Sequence, residues 1–133
     1  MESPIPNSTS EKGRFSLIKR AESFTHACRG IAIFFKASHN SWIHATAFIG
    51  VVALGLYFRI SSIEWVMIFL ASGLVFASEA FNSAIEVDID LTSPGYHPYA
   101  RDTKDIAAGA VLISAIIALV VGLFIFVPHF LAI

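Results

Sequence analysis

A chain of 133 residues with 56% hydrophobic and only 14% charged side chains, at a mean hydropathy of +0.70, lies outside the soluble globular norm and reads as a small integral membrane protein. The lone Cys28 excludes an internal disulfide and has no metal-ligand partners at the usual spacings, so it reads as a small packing residue. The net charge of −1 conceals an asymmetry, because Lys12, Arg14, Lys19, Arg20, Arg29 and Lys36 all precede the first long apolar segment. That bias sets orientation.

Residues 1–12 combine Pro4 and Pro6 with a polar Asn-Ser-Thr-Ser run and read as a disordered tail. The polar N-terminus is followed by no short apolar run with a small-residue cleavage site, so no cleavable signal peptide is expected. From about 14 to 37, Leu17, Ala21, Phe24, Cys28, Ile31 and Phe35 recur every three to four residues, opposite Lys19, Glu22, His26, Arg29 and Lys36. This spacing predicts an amphipathic helix. Its basic face and Phe-rich face suit the cytoplasmic interface of a bilayer, although a soluble core helix has the same periodicity.

Ser38 and Asn40 are candidate caps for a first span over about 41–58, which is free of formal charge and flanked by Trp42 and Tyr57 as interfacial aromatics. The short connection Arg59 to Ser62 forces the next helix, about 63–90, to return antiparallel. A third span is expected over about 103–127, most of it in a charge-free run from Ile106 to Ile133, with Ala110, Ser114, Ala118 and Gly122 forming a small-residue stripe for close helix packing. Pro128 and His129 are expected to end it. Residues 13–133 thus form a single all-α membrane domain: a surface helix and three transmembrane helices. Charge counting puts the N-terminus and the second connection in the cytosol.

The chemistry concentrates in SEAFNSAIEVDID, Ser78 to Asp90. Glu79, Asn82, Glu86 and Asp90 stand at offsets of three, seven and eleven, one continuous stripe on a helix, with Ser83 beside it. An ionisable side chain within a span costs roughly 2.5–3.5 kcal/mol on insertion scales, so such a row is a functional-site hypothesis. The alternative for Glu86 and Asp90 is a solvated helix end. Glu79 and Glu86 are separated by about 10 Å along the axis. Glu86, nearer the cytosol, suits a divalent cation bridging nucleotide phosphates, and the deeper Glu79 suits a general base acting on a lipid. Arg101 and Lys104 in the second connection would neutralise charge on a transferring phosphoryl group. A proton or cation relay would also use intramembrane carboxylates, but has no need of Lys104 and Asp105 at a cytosolic mouth. No Walker A motif and no kinase-type glycine loop is present.

The string E-A-F-N-S-A-I-E on a membrane helix, then Asp90, Y-H-P and A-R-D-T-K-D-I-A-A-G-A-V-L, resembles the bacterial diacylglycerol kinase and undecaprenol kinase family over about Lys19 to Pro128. The resemblance implies a homotrimer in the bacterial cytoplasmic membrane that transfers the γ-phosphoryl of ATP to a lipid alcohol with Mg2+ as cofactor. It implies Glu79 as catalytic base, Glu86 as metal ligand, and Asn82 as a residue lining the site with Ser83, Asp90 and Arg101. Lys19, His26, Gly95, Tyr96, His97, Lys104 and Asp105 become nucleotide contacts; no nucleic-acid partner is expected. N-S-W-I-H, I-E-W and H-P-Y-A are similar to the undecaprenol kinase branch. One departure stands out: the family usually carries a metal-binding glutamate where this chain has Ser38. An inactivating substitution, compensation by His39 or another group, and lost turnover compete as explanations. Gly95 replaces an acidic residue common in relatives.

Overall fold

A computed structural model describes residues 17–132, with side chains from residue 20 onward. The expected tail over 1–12, Lys12 and Arg14, and the Lys19 side chain lie outside the described residues. Four helices follow one another: α1 Leu17–Ala37, α2 His39–Phe58, α3 Ser62–Thr92 and α4 Pro98–Leu131. The described residues divide into two units, one ending at residue 32 and the other starting at residue 33. In the first, every described side chain of α1 from Arg20 to Ala32 is exposed, Phe24 and Ile31 included.

The second unit is an antiparallel three-helix arrangement. The α2–α3 turn is built from local rules. Arg59 closes α2 in the left-handed region (φ 52°), its N–H and that of Ile60 returning to carbonyls of the last turn. Ser61 and Glu64 then form a reciprocal capping box that starts α3. Gly55 sits under the Trp65 indole, where a Cβ would come within 2.8 Å of the ring. The two helices can approach here only because position 55 has no side chain. Ile60, Ile68, Ile125 and Phe126 form the buried apolar cluster around this end.

Helices α3 and α4 pack most extensively, and pairings at Ser78–Ser114 and Asp90–Lys104 establish their antiparallel register. Of the small-residue stripe, Ser114 is buried against α3, Ala118 and Gly122 line a cavity, and Ala110 is exposed. Helices α2, α3 and α4 are each long and apolar enough to cross a membrane. Large side chains such as Ile63, Leu70 and Phe124 face outward, which suits lipid and not water. At 31 residues α3 is about 46 Å long, well beyond a hydrocarbon core of about 30 Å, so its carboxylate-bearing end has length to project past the core.

Three boundaries differ from the sequence expectation. The interruption before α2 is the single residue Ser38, since its side chain caps the helix directly and α2 begins at His39. Helix α4 starts earlier and ends later than expected. Pro98 occupies the first turn, where the missing N–H has no intrahelical role, and the helix continues through Pro128 to Leu131. Past Pro128, His129 Nδ1 lies 2.7 Å from the Ile125 carbonyl, while His129 and Phe130 pack on the Phe58 ring. Those contacts hold the last turn against α2 despite the proline.

Candidate active site

The carboxylate stripe on α3 runs from buried to exposed. Glu79 is 2% exposed and Asn82 7%, while Glu86 and Asp90 are exposed and Ser83 is half-buried. Helical periodicity alone explains why they share a face; packing of α4 and the start of α2 explains why only the first two are covered.

Both oxygens of Glu79 accept hydrogen bonds from neutral side chains. Ser38 Oγ donates to Oε1 at 2.8 Å and Asn40 Nδ2 donates to Oε2 at 3.3 Å. Ser38 Oγ also accepts from the Ser41 N–H at 3.2 Å, so the residue that caps α2 is the same one that touches the carboxylate. Ser38, singled out as the place of a missing metal ligand, therefore lies at the Glu79 end of the stripe. Asn40, expected only as a cap, is the site residue the sequence did not reveal. Nothing local links it to Glu79, which is 39 positions away.

One turn onward, Asn82 Nδ2 donates to Glu86 Oε1 at 3.0 Å, leaving Asn82 Oδ1 buried without a partner. An orphaned amide oxygen beside an exposed carboxylate is a pair of hard oxygen donors. That pair suits magnesium, which takes few protein ligands and completes its octahedron with phosphate oxygens and water. Among the described residues, no three His, Cys, Asp or Glu side chains gather to hold a cation by themselves. A bound cation here would need the phosphates of a nucleotide as well.

At the exposed end, Lys104 Nζ pairs with Asp90 Oδ1 across the two helices, and Arg101 Nε lies 3.5 Å from Asp105 Oδ2 along α4. These four residues, with Gly95, Tyr96 and His97, border an open pocket of about 340 Å³ in the α3–α4 connection. Tyr96 is 82% exposed, offering a free ring face. His26 is exposed on α1 in the other unit.

Below Glu79, toward the middle of the helices, α2, α3 and α4 line a half-open apolar cavity of about 410 Å³. Val75 and Phe76, one turn before Glu79, belong to its wall, as does His44, whose Nε2 is buried without a partner. Between the levels of the cavity and the carboxylate, the Ser78 and Ser114 hydroxyls meet at 2.7 Å. Glu79 and the Ser78–Ser114 pair thus lie between an apolar cavity and a polar mouth that carries Arg101 and Lys104.

The profile of the prokaryotic diacylglycerol kinase family matches residues 25–126. An undecaprenol kinase of Bacillus subtilis (strain 168) is 41% identical over 119 residues, covering 90% of this chain and 97% of that protein. A diacylglycerol kinase of Synechocystis sp. (strain ATCC 27184 / PCC 6803 / Kazusa) is 35% identical over 111 residues, or 83% of this chain and 63% of its own length. A diacylglycerol kinase of Escherichia coli (strain K12) is 27% identical over 114 residues, 80% of this chain and 93% of that one. The match spans all three membrane helices and both ends of the stripe, so the chain belongs to the prokaryotic diacylglycerol kinase family and is an ATP-dependent membrane lipid kinase.

Proposed function

We propose that this kinase transfers the γ-phosphoryl of MgATP to undecaprenol, with diacylglycerol as the second acceptor. The relative that supports the first lipid is named an undecaprenol kinase and aligns over 97% of its length at 41% identity, against 35% and 27% for two diacylglycerol kinases. The observation that carries the mechanism is Glu79: a carboxylate 2% exposed, held by neutral donors, next to an apolar cavity.

In this reading the lipid chain occupies the apolar side and presents its hydroxyl to Glu79. The hydroxyl oxygen bonds to the γ-phosphorus, the bond from that phosphorus to the bridging oxygen breaks, ADP leaves, and the hydroxyl proton passes to the Glu79 carboxylate. Lys104 and Arg101 leave Asp90 and Asp105 for phosphate oxygens, while Gly95, Tyr96 and His97 border the nucleotide. Lys19 and His26 contribute to nucleotide binding from α1, and Ser83 lines the site. Glu86 and Asn82 Oδ1 would hold magnesium, which when bound offsets charge on the phosphates. The same reading makes α1 an interfacial helix, faces the nucleotide mouth to the cytosol of a bacterial inner membrane, and assembles three copies.

Phosphoryl transfer from labelled ATP by the purified protein in bilayers, with undecaprenol and diacylglycerol offered in parallel and magnesium present or absent, tests it. Magnesium-dependent turnover with undecaprenol preferred is expected. Preference for diacylglycerol overturns the acceptor assignment. No turnover until Ser38→Glu is introduced means a kinase disarmed at its metal site.

A further inference from the structure

Ser38 and Asn40 reach Glu79 across 41 and 39 positions of sequence. A serine hydroxyl has one proton and two lone pairs. With a lone pair engaged by the Ser41 N–H at 3.2 Å, the proton of Ser38 is directed to Glu79 Oε1 at 2.8 Å. The cap of α2 therefore fixes the rotor that orients the carboxylate. Asn40 Nδ2, from the second residue of the same helix, holds the other oxygen at 3.3 Å.

We propose that Ser38 and Asn40 are positioning residues that clamp the Glu79 carboxylate for proton abstraction from the lipid hydroxyl, an inference resting on the assignment of Glu79 as general base. An ionised carboxylate offers about four lone-pair sites, so two donors leave capacity for the acceptor hydroxyl. Neutral donors suit a base better than Lys or Arg would: a fixed cation favours the charged carboxylate and opposes proton uptake, whereas a hydroxyl and an amide fix direction with a weaker bias. A carboxylate at position 38 would instead set two like charges at hydrogen-bond distance, tolerable only with a cation between them. Serine at this position is thus a component of the base's support and not merely a missing ligand.

The test uses the full chain in bilayers with Ser38→Gly, Ser38→Thr, Asn40→Ala and Glu79→Gln. Glycine is a tolerated cap, so Ser38→Gly removes the hydroxyl with little loss of helix stability. Asn40→Ala leaves the cap untouched and carries the test if position 38 variants fold poorly. Ser38→Gly is expected to lower kcat about tenfold to a hundredfold, with KM for MgATP and the half-saturating magnesium concentration changed by less than about twofold. Asn40→Ala is expected to lower kcat about threefold to tenfold, and Ser38→Thr to restore most of the rate. Unchanged kcat in both Ser38→Gly and Asn40→Ala, with Glu79→Gln inactive, overturns the clamp while leaving the base in place. Activity of Ser38→Gly recovered by excess magnesium overturns it in favour of a metal role. An active Glu79→Gln removes the base assignment and the clamp together.

Discussion

Ser78 Oγ lies 2.7 Å from Ser114 Oγ, and Ser114 in turn donates to the Ala110 carbonyl at 2.8 Å. The Ser114 proton is committed to its own helix, which makes Ser78 the donor across the α3–α4 contact. The bond ties the residue before Glu79 to α4, so the height of the carboxylate relative to the Lys104 end is set by this pairing. A double-mutant cycle with Ser78→Ala and Ser114→Ala should return a coupling of about 0.6 kcal/mol, and no more than about 1.7, in detergent-titrated unfolding.

Gly55 gives a larger effect at the opposite end. A methyl group there would meet Trp65 at 2.8 and 2.9 Å and Ile60 Cδ1 at 3.0 Å. Gly55→Ala should cost about 1–3 kcal/mol in the same unfolding measurement, and adding Trp65→Leu should recover part of it. An unaltered Gly55→Ala protein would mean that α2 and α3 are not this close.

The Asp90–Lys104 pair joins side chains that are 68% and 36% exposed. Exposed pairs contribute about 1 kcal/mol or less, so its role is not stability. Lys104→Ala should leave unfolding within about 0.5 kcal/mol of the parent and raise KM for ATP about tenfold. Loss of stability without a change in KM would reverse that assignment.

Much of this was legible in the sequence, and its limits are physical. The spans, the antiparallel hairpin and the stripe of Glu79, Asn82, Glu86 and Asp90 follow from periodicity and turn length, which are local. Ser38 as a cap is local too. Its bond to Glu79 is not, because it depends on how α2 is seated against α3, and the same holds for Asn40 and for the Ser78–Ser114 pair. Pro128 misled for a related reason: a proline ends a helix when nothing else holds the chain, and here Phe58 packs on the residues beyond it.

Asn82 Oδ1, buried and unpartnered beside Glu86, bears on the proposed magnesium site. Glu86→Gln should raise the magnesium concentration for half-maximal nucleotide binding about tenfold or more, and Asn82→Ala should act in the same direction with a smaller effect. Both are readable by titrating magnesium against binding of a fluorescent ATP analogue. Equal magnesium titrations in parent and variants would separate these oxygens from the metal.

The division of labour along α3 is tested most directly by Glu79→Gln, which keeps the size of the side chain and the acceptor oxygen but removes the base. Phosphoryl transfer to lipid and equilibrium binding of MgATP are measured on the same bilayer preparation. With Glu79 as the base, transfer falls by at least about a hundredfold while MgATP binding changes by less than about threefold. Retained transfer, or loss of nucleotide binding in step with transfer, would contradict the assignment of Glu79 to proton abstraction and Glu86 to the metal.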